Sequence, residues 1–313
     1  MLGRTANDLF WMARYMERAE NLARILDVGY RLLLLPHEQS SEIWQSALKS
    51  AGCEQAYIDK YSEVETDRVE DFLLFDPDNP SSVYSCIARA RESARIQRTA
   101  ITRDMWECLN GAWIEYCADH TSLRNKNERP ILIDWIKGRS ALFRGALMNT
   151  ILRNDSFNFS EIGTFLERAD NTARILDVKY FILLPQNQLV GGGIDNVQWQ
   201  TILRSVSAHQ SYRWVYQDRF NPWNIAHFLI LNSQMPRSLR SCYDGVSGAL
   251  KGLNDYYGYR CDCYPMVEKI RSQLVDGDMN AIFQSGLHEF LTDFIANNNE
   301  IGSKISEIYH FNE

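Results

Sequence analysis

Proline and glycine are scarce in this 313-residue sequence, which contains eight Pro and seventeen Gly. Long uninterrupted helices are therefore possible, because these two residues are the ones that most often break them. The longest apolar runs, residues 32–35 and 181–184, are far shorter than the ~20 residues that a membrane-spanning helix needs. The first residues also lack the basic leader and apolar stretch of a secretory signal. We therefore expect no membrane span and a cytoplasmic location.

The common signatures of catalysis and metal binding are missing as well. The sequence has no G-x-S-x-G, H-E-x-x-H or Walker motif. Its seven cysteines are scattered and odd in number, which does not favour a disulfide framework. Cys261-x-Cys263 has no second cysteine pair, whereas a structural zinc site needs about four ligands. We expect neither a metal nor a bound cofactor.

The charge balance is mildly acidic, with 33 basic and 40 acidic residues and a formal net charge of -7. It gives no electrostatic reason to expect a nucleic acid as the partner. Hydrophobic residues make up 45% of the chain, which is enough to build a large core.

Apolar residues recur at three- and four-residue spacing through most of the chain, which is typical of amphipathic helices. Strand signals are nearly absent. The predicted helices cover about residues 5–35, 42–61, 82–110, 132–152, 158–184, 196–218, 223–251, 263–276 and 278–309. Pro36 is expected to end the first helix, Pro236 to kink the helix at 223–251, and Gly191-Gly192-Gly193 to form a linker. The sequence predicts an all-α fold.

An internal repeat is the most informative feature. Residues 17–28 read ERAENLARILDV and residues 167–178 read ERADNTARILDV, identical at ten of twelve positions. Weaker similarity follows in the same order: residues 44–50 resemble 199–205, and Arg95 corresponds to Arg237. We predict a single domain, residues 1–313, built from repeats of about 1–155 and 156–313. The repeats are expected to share one core in a helical bundle with pseudo-two-fold symmetry.

The repeated segment places acidic and basic side chains on the face opposite its main apolar stripe. Further apolar residues flank this polar strip, so the strip is expected to line an internal groove. One interpretation is structural. Within each helix, Glu20 pairs with Arg24 and Asp170 pairs with Arg174; alternatively, the helices bind each other through Glu17 with Arg174 and Glu167 with Arg24. Another is functional, because arginines hold carboxylates or phosphates by bidentate contacts. The candidate groove residues are Arg14, Glu17, Arg18, Asn21, Arg24, Arg95, Glu167, Arg168, Asn171 and Arg174.

Several motifs occur together along the chain. They are Leu2-x-Arg4-Thr5-Ala6-x-x-Leu9-x-Trp11, Arg14-Tyr15-x-Glu17-Arg18-Ala19-Glu20-Asn21, Asn79-Pro80-Ser81-Ser82, Ala90-Arg91-Glu92-x-Ala94-Arg95, Trp106-Glu107-x-Leu109-Asn110 and Leu166-Glu167-Arg168-Ala169-Asp170. This combination resembles the bacterial alpha-E domain family over essentially the whole chain. The resemblance implies that Glu17-Arg18 and Glu167-Arg168 are the motif residues. The sequence departs from the family pattern at Thr164, where the first copy has Arg14.

The resemblance also implies a functional setting. Alpha-E proteins tend to be encoded beside, or fused to, an ATP-grasp ligase, and a transglutaminase-like protein is a frequent further neighbour. We therefore expect an accessory, non-enzymatic component of a peptide or amide-bond synthesis system, with any ATP bound by the partner. Two alternatives stay open: an enzyme of the same pathway that uses Glu17 and Glu167 as acid-base residues, and a helical homo-oligomer in which the Glu-Arg pairs only stabilise the fold.

Overall fold

The computed structural model describes residues 1–34, 40–118, 128–182, 193–217 and 220–311, and all regular structure in these ranges is helical. This confirms the all-α prediction. Fifteen helices lie within the described ranges: α1 Gly3–Leu32, α2 Ser40–Ser50, α3 Glu54–Lys60, α4 Thr66–Leu74, α5 Val83–Ile96, α6 Arg103–Ala118, α7 Arg129–Thr150, α8 Asp155–Ile182, α9 Gly193–Ser205, α10 His209–Tyr216, α11 Pro222–Ile230, α12 Leu239–Tyr257, α13 Tyr264–Val275, α14 Met279–Ser285 and α15 Leu287–Ile308.

The two longest helices, α1 and α8, contain the repeated segments and pack directly against each other at the centre of the fold. Helices α5 and α7 cover the other sides of α1, while α12 and α15 cover α8. The two central helices approach closely at Gly163, where an added Cβ would lie only 2.3 Å from the Phe10 carbonyl oxygen. A larger residue could not be accommodated there without shifting one helix.

Buried apolar side chains from both predicted repeats belong to one contiguous cluster. Trp44, Tyr57, Tyr116, Tyr212 and Tyr243 are its largest fully buried members. A single helix cannot bury its own apolar face, so the helices bury these side chains against one another. Removal of this apolar surface from water supplies much of the driving force for folding. That the two halves arose as repeats of one domain stays a prediction.

Several predicted helices are divided in two. Gly52 ends the first part of 42–61 with a φ of 68°, and Gly286 separates α14 from α15 with a φ of 102°. These positive φ values favour glycine because side chains with a Cβ are strained there. Residues 231–238 separate α11 from α12, so the predicted kink at Pro236 is wrong and is replaced by a break.

Other local expectations also need correction. The helix expected over 82–110 stops at Ile96, and a separate helix, α6, begins at Arg103. Helix α4 was not predicted from the sequence. Many of its residues are polar, but Val69, Phe72 and Leu73 form a buried face. Pro36, Gly191 and Gly192 lie outside the described residues.

Cys261 and Cys263 are both buried and are joined as a disulfide, whereas the other five cysteines are free. This local bridge, with one residue between its cysteines, differs from a framework of several disulfides, which the sequence does not favour. Within the described ranges, none of the helices combines the length and apolarity required to cross a membrane.

Candidate functional site

The repeated Glu-Arg segments turn their charged side chains into the interior. Glu17 is 1% exposed, Glu20 is fully buried and Glu167 is 5% exposed. They are buried because α1 and α8 are central helices, each with neighbours on several sides. The expectation that this polar strip lies inside the protein is therefore confirmed. Since isolated charges are costly to bury, each carboxylate requires cationic or hydrogen-bonding partners.

Two reciprocal ion pairs join the central helices. Arg18 contacts Glu167 through Nε–Oε1 at 2.6 Å and Nη2–Oε2 at 3.0 Å. Arg168 contacts Glu17 through Nε–Oε1 at 3.1 Å and Nη2–Oε2 at 3.0 Å. Both pairs are bidentate, the geometry in which a planar guanidinium binds a carboxylate most strongly. Each motif glutamate is thus held by the motif arginine of the other helix.

This pairing differs from the predicted pairs of Glu17 with Arg174 and Glu167 with Arg24, which are wrong. Arg24 and Arg174 lie seven residues beyond the motif glutamates, roughly 10 Å farther along their helices. Instead, each pairs within its own helix, which confirms the other structural interpretation, the i,i+4 pairs. Arg24 donates to Glu20, with Nη2–Oε1 at 2.5 Å. Arg174 donates to Asp170, with Nε–Oδ2 at 2.6 Å.

Arginines from helix α7 and from the loop before α12 surround the first-copy carboxylates. Arg237, at the loop before α12, contacts Glu17 at 2.9 Å and Glu20 at 2.5 Å. Arg144, on α7, contacts Glu17 at 3.0 Å and also donates to Glu20. Burial alone would raise the pKa of Glu17, but Arg168, Arg237 and Arg144 together hold it below its usual value. Burial and the charge of Glu17 raise the pKa of Glu20, but Arg237, Arg144 and Arg24 outweigh them and lower it to about 2.

Glu167 has a different set of partners. Besides Arg18, it accepts a hydrogen bond from Arg14 Nε at 2.8 Å, and the Arg14 guanidinium lies 4.7 Å from the centre of the Trp11 ring. Burial opposes ionisation of Glu167, but the two arginines outweigh it and lower its pKa to about 2. Thr164, where the first copy has Arg14, donates instead to the Ser160 backbone carbonyl oxygen at 3.0 Å. Around Glu17, Arg144 and Arg237 provide the additional cations that Arg14 provides around Glu167.

A polar cavity of about 190 Å³ opens beside the Arg18–Glu167 pair. It lies among α1, α8, the turn after α2 and the loop before α5. Its lining comprises Arg14, Arg18, Asn21, Leu22, Ile25, Ser50, Ala51, Gly52, Ser81, Glu167, Asp170, Asn171, Arg174 and Asn299. Both repeated segments therefore contribute charged groups to one concave site, the setting in which small polar ligands are usually bound.

Three acceptor oxygens on residues lining this cavity are buried without a hydrogen-bonding partner. They are the Oδ1 atoms of Asn21, Asp170 and Asn171. Asn21 and Asn171 are each only 4% exposed. Most buried polar atoms in proteins are paired, so a group of orphans beside one cavity is a feature expected of a binding site.

The comparisons with known proteins bear on the pair of Glu-Arg motifs. A family described as a predicted alpha-helical domain with a conserved ER motif matches residues 1–310. The chain belongs to the Alpha-E family. Uncharacterized proteins of Mycobacterium bovis and Mycobacterium tuberculosis are each 32% identical to this Alpha-E chain over 133 residues. The match covers 38% of this chain but only 15% of those relatives' length. No solved structure matches.

In this Alpha-E chain, the predicted groove residues fall into three groups. Those that line the cavity are Arg14, Arg18, Asn21, Glu167, Asn171 and Arg174. Those sealed beside it in the ion-pair cluster are Glu17, Arg24 and Arg168. Arg95 belongs to neither group, because it is exposed on α5 and pairs with Glu92. Its placement in the groove was wrong: it is Arg237, its counterpart in the sequence repeat, that is buried against the Alpha-E glutamates.

Sequence reasoning missed two further residues, Arg144 and Arg237, that hold the glutamates. Arg144 is 127 residues from Glu17 and carries no motif that marks it. Arg237 could have been found, because the repeat aligned it with an arginine already considered. In the described parts of the chain, no group of three or more His, Cys, Asp or Glu side chains is arranged to hold a metal ion.

Proposed function

We propose that this Alpha-E protein is a binding component, without catalytic activity of its own, that holds an acidic group in the cavity beside Arg18 and Arg174. The acidic group belongs to a ligand or partner of an ATP-grasp-type ligase in a peptide or amide-bond synthesis system. ATP, where the system uses it, binds to the ligase.

The charge of the buried cluster is the observation that carries this proposal. The ion pairs described above join seven arginines (Arg14, Arg18, Arg24, Arg144, Arg168, Arg174 and Arg237) to four carboxylates (Glu17, Glu20, Glu167 and Asp170). The cluster therefore has an excess of three positive charges. Such an excess in a poorly solvated site favours an anion, because fixed charges interact more strongly there than in water.

The open donors in the cavity belong to Arg18 and Arg174. Nη1 of Arg18 and both terminal nitrogens of Arg174 form no hydrogen bond with the described residues. Their side chains are 24% and 26% exposed, so an entering ligand can reach them. A carboxylate would complete their hydrogen bonding and reduce the local charge.

The ionisation of the glutamates argues against the enzymatic alternative. Glu17 and Glu167 are each bound by arginines that keep their pKa values low. A general base works best when its pKa is near the working pH, so carboxylates held this acidic are weak bases. As acids they are equally unsuited, because they carry no proton to donate at neutral pH.

The length of the mycobacterial relatives supports a role within a larger assembly. The matched segment is 15% of each relative, so in those proteins this Alpha-E sequence is one part of a much longer chain. A segment joined to other parts in one polypeptide often works beside the same parts when they are separate chains. We take this as support for a protein partner, which we propose to be the ligase.

Anion binding is tested with glutarate, a dicarboxylate probe, by calorimetric titration of the purified protein. Arg174→Met should weaken glutarate binding by roughly 10- to 100-fold, since hydrogen bonds to charged groups contribute about 1.5–3 kcal/mol. Arg95→Met is the matched control and should bind like wild type, because Arg95 lies outside the cavity. Failure of wild type to bind glutarate, or equal binding by Arg174→Met, would refute the proposed site.

The partnership is tested separately. The tagged protein is co-expressed with an ATP-grasp ligase of the same organism, and the two are analysed by size-exclusion chromatography. We expect one complex to elute, and we expect the isolated Alpha-E protein not to hydrolyse ATP. Separate elution of the two proteins, or ATP turnover by the isolated chain, would contradict the accessory role.

A further inference from the structure

We infer that the cavity recognises a free amino acid, with its N–H donors as well as its carboxylate, and not a simple anion. This inference rests on the proposed function and adds the chemical class of the ligand. It depends on the combination of unpaired donors and unpaired acceptors around one small cavity.

The donors and acceptors are mixed within the same site. Arg18 and Arg174 offer N–H groups to a carboxylate, whereas Asn21, Asp170 and Asn171, which line the same cavity, each carry a buried Oδ1 acceptor without a hydrogen-bonding partner. A simple anion has only acceptor atoms and would leave these three oxygens without a donor. Leaving a buried acceptor unsatisfied costs about 1–3 kcal/mol. An ammonium group has three N–H donors and a positive charge, which also suits the carboxylate of Asp170.

A comparison between the two halves shows why the cavity is open on one side only. Arg24, the sequence counterpart of Arg174, donates from Nη1 to the Ser205 carbonyl oxygen at 2.6 Å and to Ser207 Oγ at 2.9 Å. Internal groups thus satisfy its outer nitrogens. The stretch 199–205 resembles 44–50, so Ser207 corresponds to Gly52.

Gly52 leaves Arg174 without the partner that Arg24 has. The backbone at the two corresponding positions is similar, with φ of 68° at Gly52 and 55° at Ser207. A Cβ at Gly52 would lie 3.3 Å from Arg174 Nη1, but glycine has no side chain that could accept a hydrogen bond. The outer nitrogens of Arg174 therefore remain available in the cavity. A serine at position 52, like Ser207 in the other half, would engage them.

The size of the cavity agrees with a single amino acid. Its volume of about 190 Å³ exceeds the ~150 Å³ of an engineered cavity that accepts benzene. A ligand of about ten non-hydrogen atoms, such as glutamate, is of this order. A peptide of several residues would extend outside.

The experiment compares pairs of ligands that differ in the amino group. L-glutamate is titrated against glutarate, and L-alanine against propionate, by calorimetry at constant ionic strength. In at least one pair we expect the amino acid to bind about tenfold more tightly or better, which corresponds to one recovered hydrogen bond to a charged group. Asn171→Leu, which keeps the side-chain size, should remove most of this preference.

Gly52→Ser provides the second variant. It introduces the hydroxyl that Ser207 supplies to Arg24, and so it should weaken both members of a pair by engaging Arg174. Circular dichroism melting curves establish that each variant is folded.

The outcomes separate the two proposals. If no carboxylate ligand binds wild type, the anion-binding function itself fails. If the members of each pair bind equally, anion binding stands and the amino-acid inference is overturned. If Asn171→Leu keeps the full preference, or Gly52→Ser binds as wild type does, the assignment of these contacts is overturned.

Discussion

Replacement of one buried glutamate by glutamine measures how strongly the ion-pair cluster stabilises the fold. Glu167→Gln preserves the size of the side chain and removes the charge that Arg14 and Arg18 neutralise at 2.8 and 2.6 Å. The native pKa of Glu167 is about 2, against an ordinary value of 4.5. At 1.36 kcal/mol per pKa unit, ionisation of Glu167 contributes about 3 kcal/mol to stability at pH 7. Removal of one partner from a buried pair costs about the same, roughly 3–5 kcal/mol.

The sign of the pH dependence follows from the lowered pKa. The stabilisation is complete above the unfolded pKa near 4.5 and is lost as the pH falls toward the native value near 2. The difference between wild type and Glu167→Gln should therefore shrink to less than half at about pH 3. Urea unfolding followed by circular dichroism at pH 7 and pH 3 measures both differences.

Glu161, on the same helix, is the matched control. Burial raises the pKa of Glu161, the opposite direction to Glu167. Its ionised form is therefore unfavourable in the folded protein, and Glu161→Gln should be neutral or slightly stabilising at pH 7. The reasoning is refuted if Glu167→Gln unfolds at the wild-type urea concentration at pH 7, or if both substitutions cost the same.

Two further predictions concern helix packing and the arginine that binds Glu17 and Glu20. Gly245→Ala should lower the free energy of unfolding by about 1–3 kcal/mol, because its Cβ would lie 2.4 Å from the Phe165 ring. Gly248→Ala on the same helix has open space and should raise it by up to ~1 kcal/mol; equal melting temperatures of the two would contradict this. Arg237→Met should lower the free energy of unfolding by about 3 kcal/mol, because Glu17 and Glu20 lose a cation that they share. Arg95 is exposed, so Arg95→Met should change the same quantity by less than ~0.5 kcal/mol in the same urea assay.

The sequence was sufficient to predict the fold class and the inward-facing charged strip. Three- and four-residue periodicity identified the long helices, and apolar residues such as Phe10 and Val28 around the strip indicated that it is covered. The periodicity was less informative about where helices break. Gly52 and Gly286 have positive φ values and end helices within segments where the apolar spacing continues, so the spacing alone does not mark these breaks.

The partners of the motif residues could not be deduced from the repeat. Which arginine reaches which glutamate depends on the register at which α1 and α8 pack, including their close approach at Gly163, and the repeat does not report that register. The sequence repeat also encouraged the view that both halves do the same thing. The structure shows instead that the Glu17 side is enclosed by Arg144 and Arg237, while the Glu167 side opens to a cavity.

The arginines of the cluster differ in the acceptors available to them, and this difference singles out the cavity beside Arg174. A guanidinium has five N–H donors, more than one carboxylate accepts, so its remaining donors must find other acceptors when they are buried. Arg24 finds the Ser205 carbonyl oxygen, and Arg144 finds Ser140 Oγ at 2.8 Å. Arg174 has no comparable acceptor in the described structure and faces the cavity. Because both terminal nitrogens of Arg174 form no hydrogen bond with the described residues, an external carboxylate there would complete its hydrogen bonding and offset part of the surplus charge.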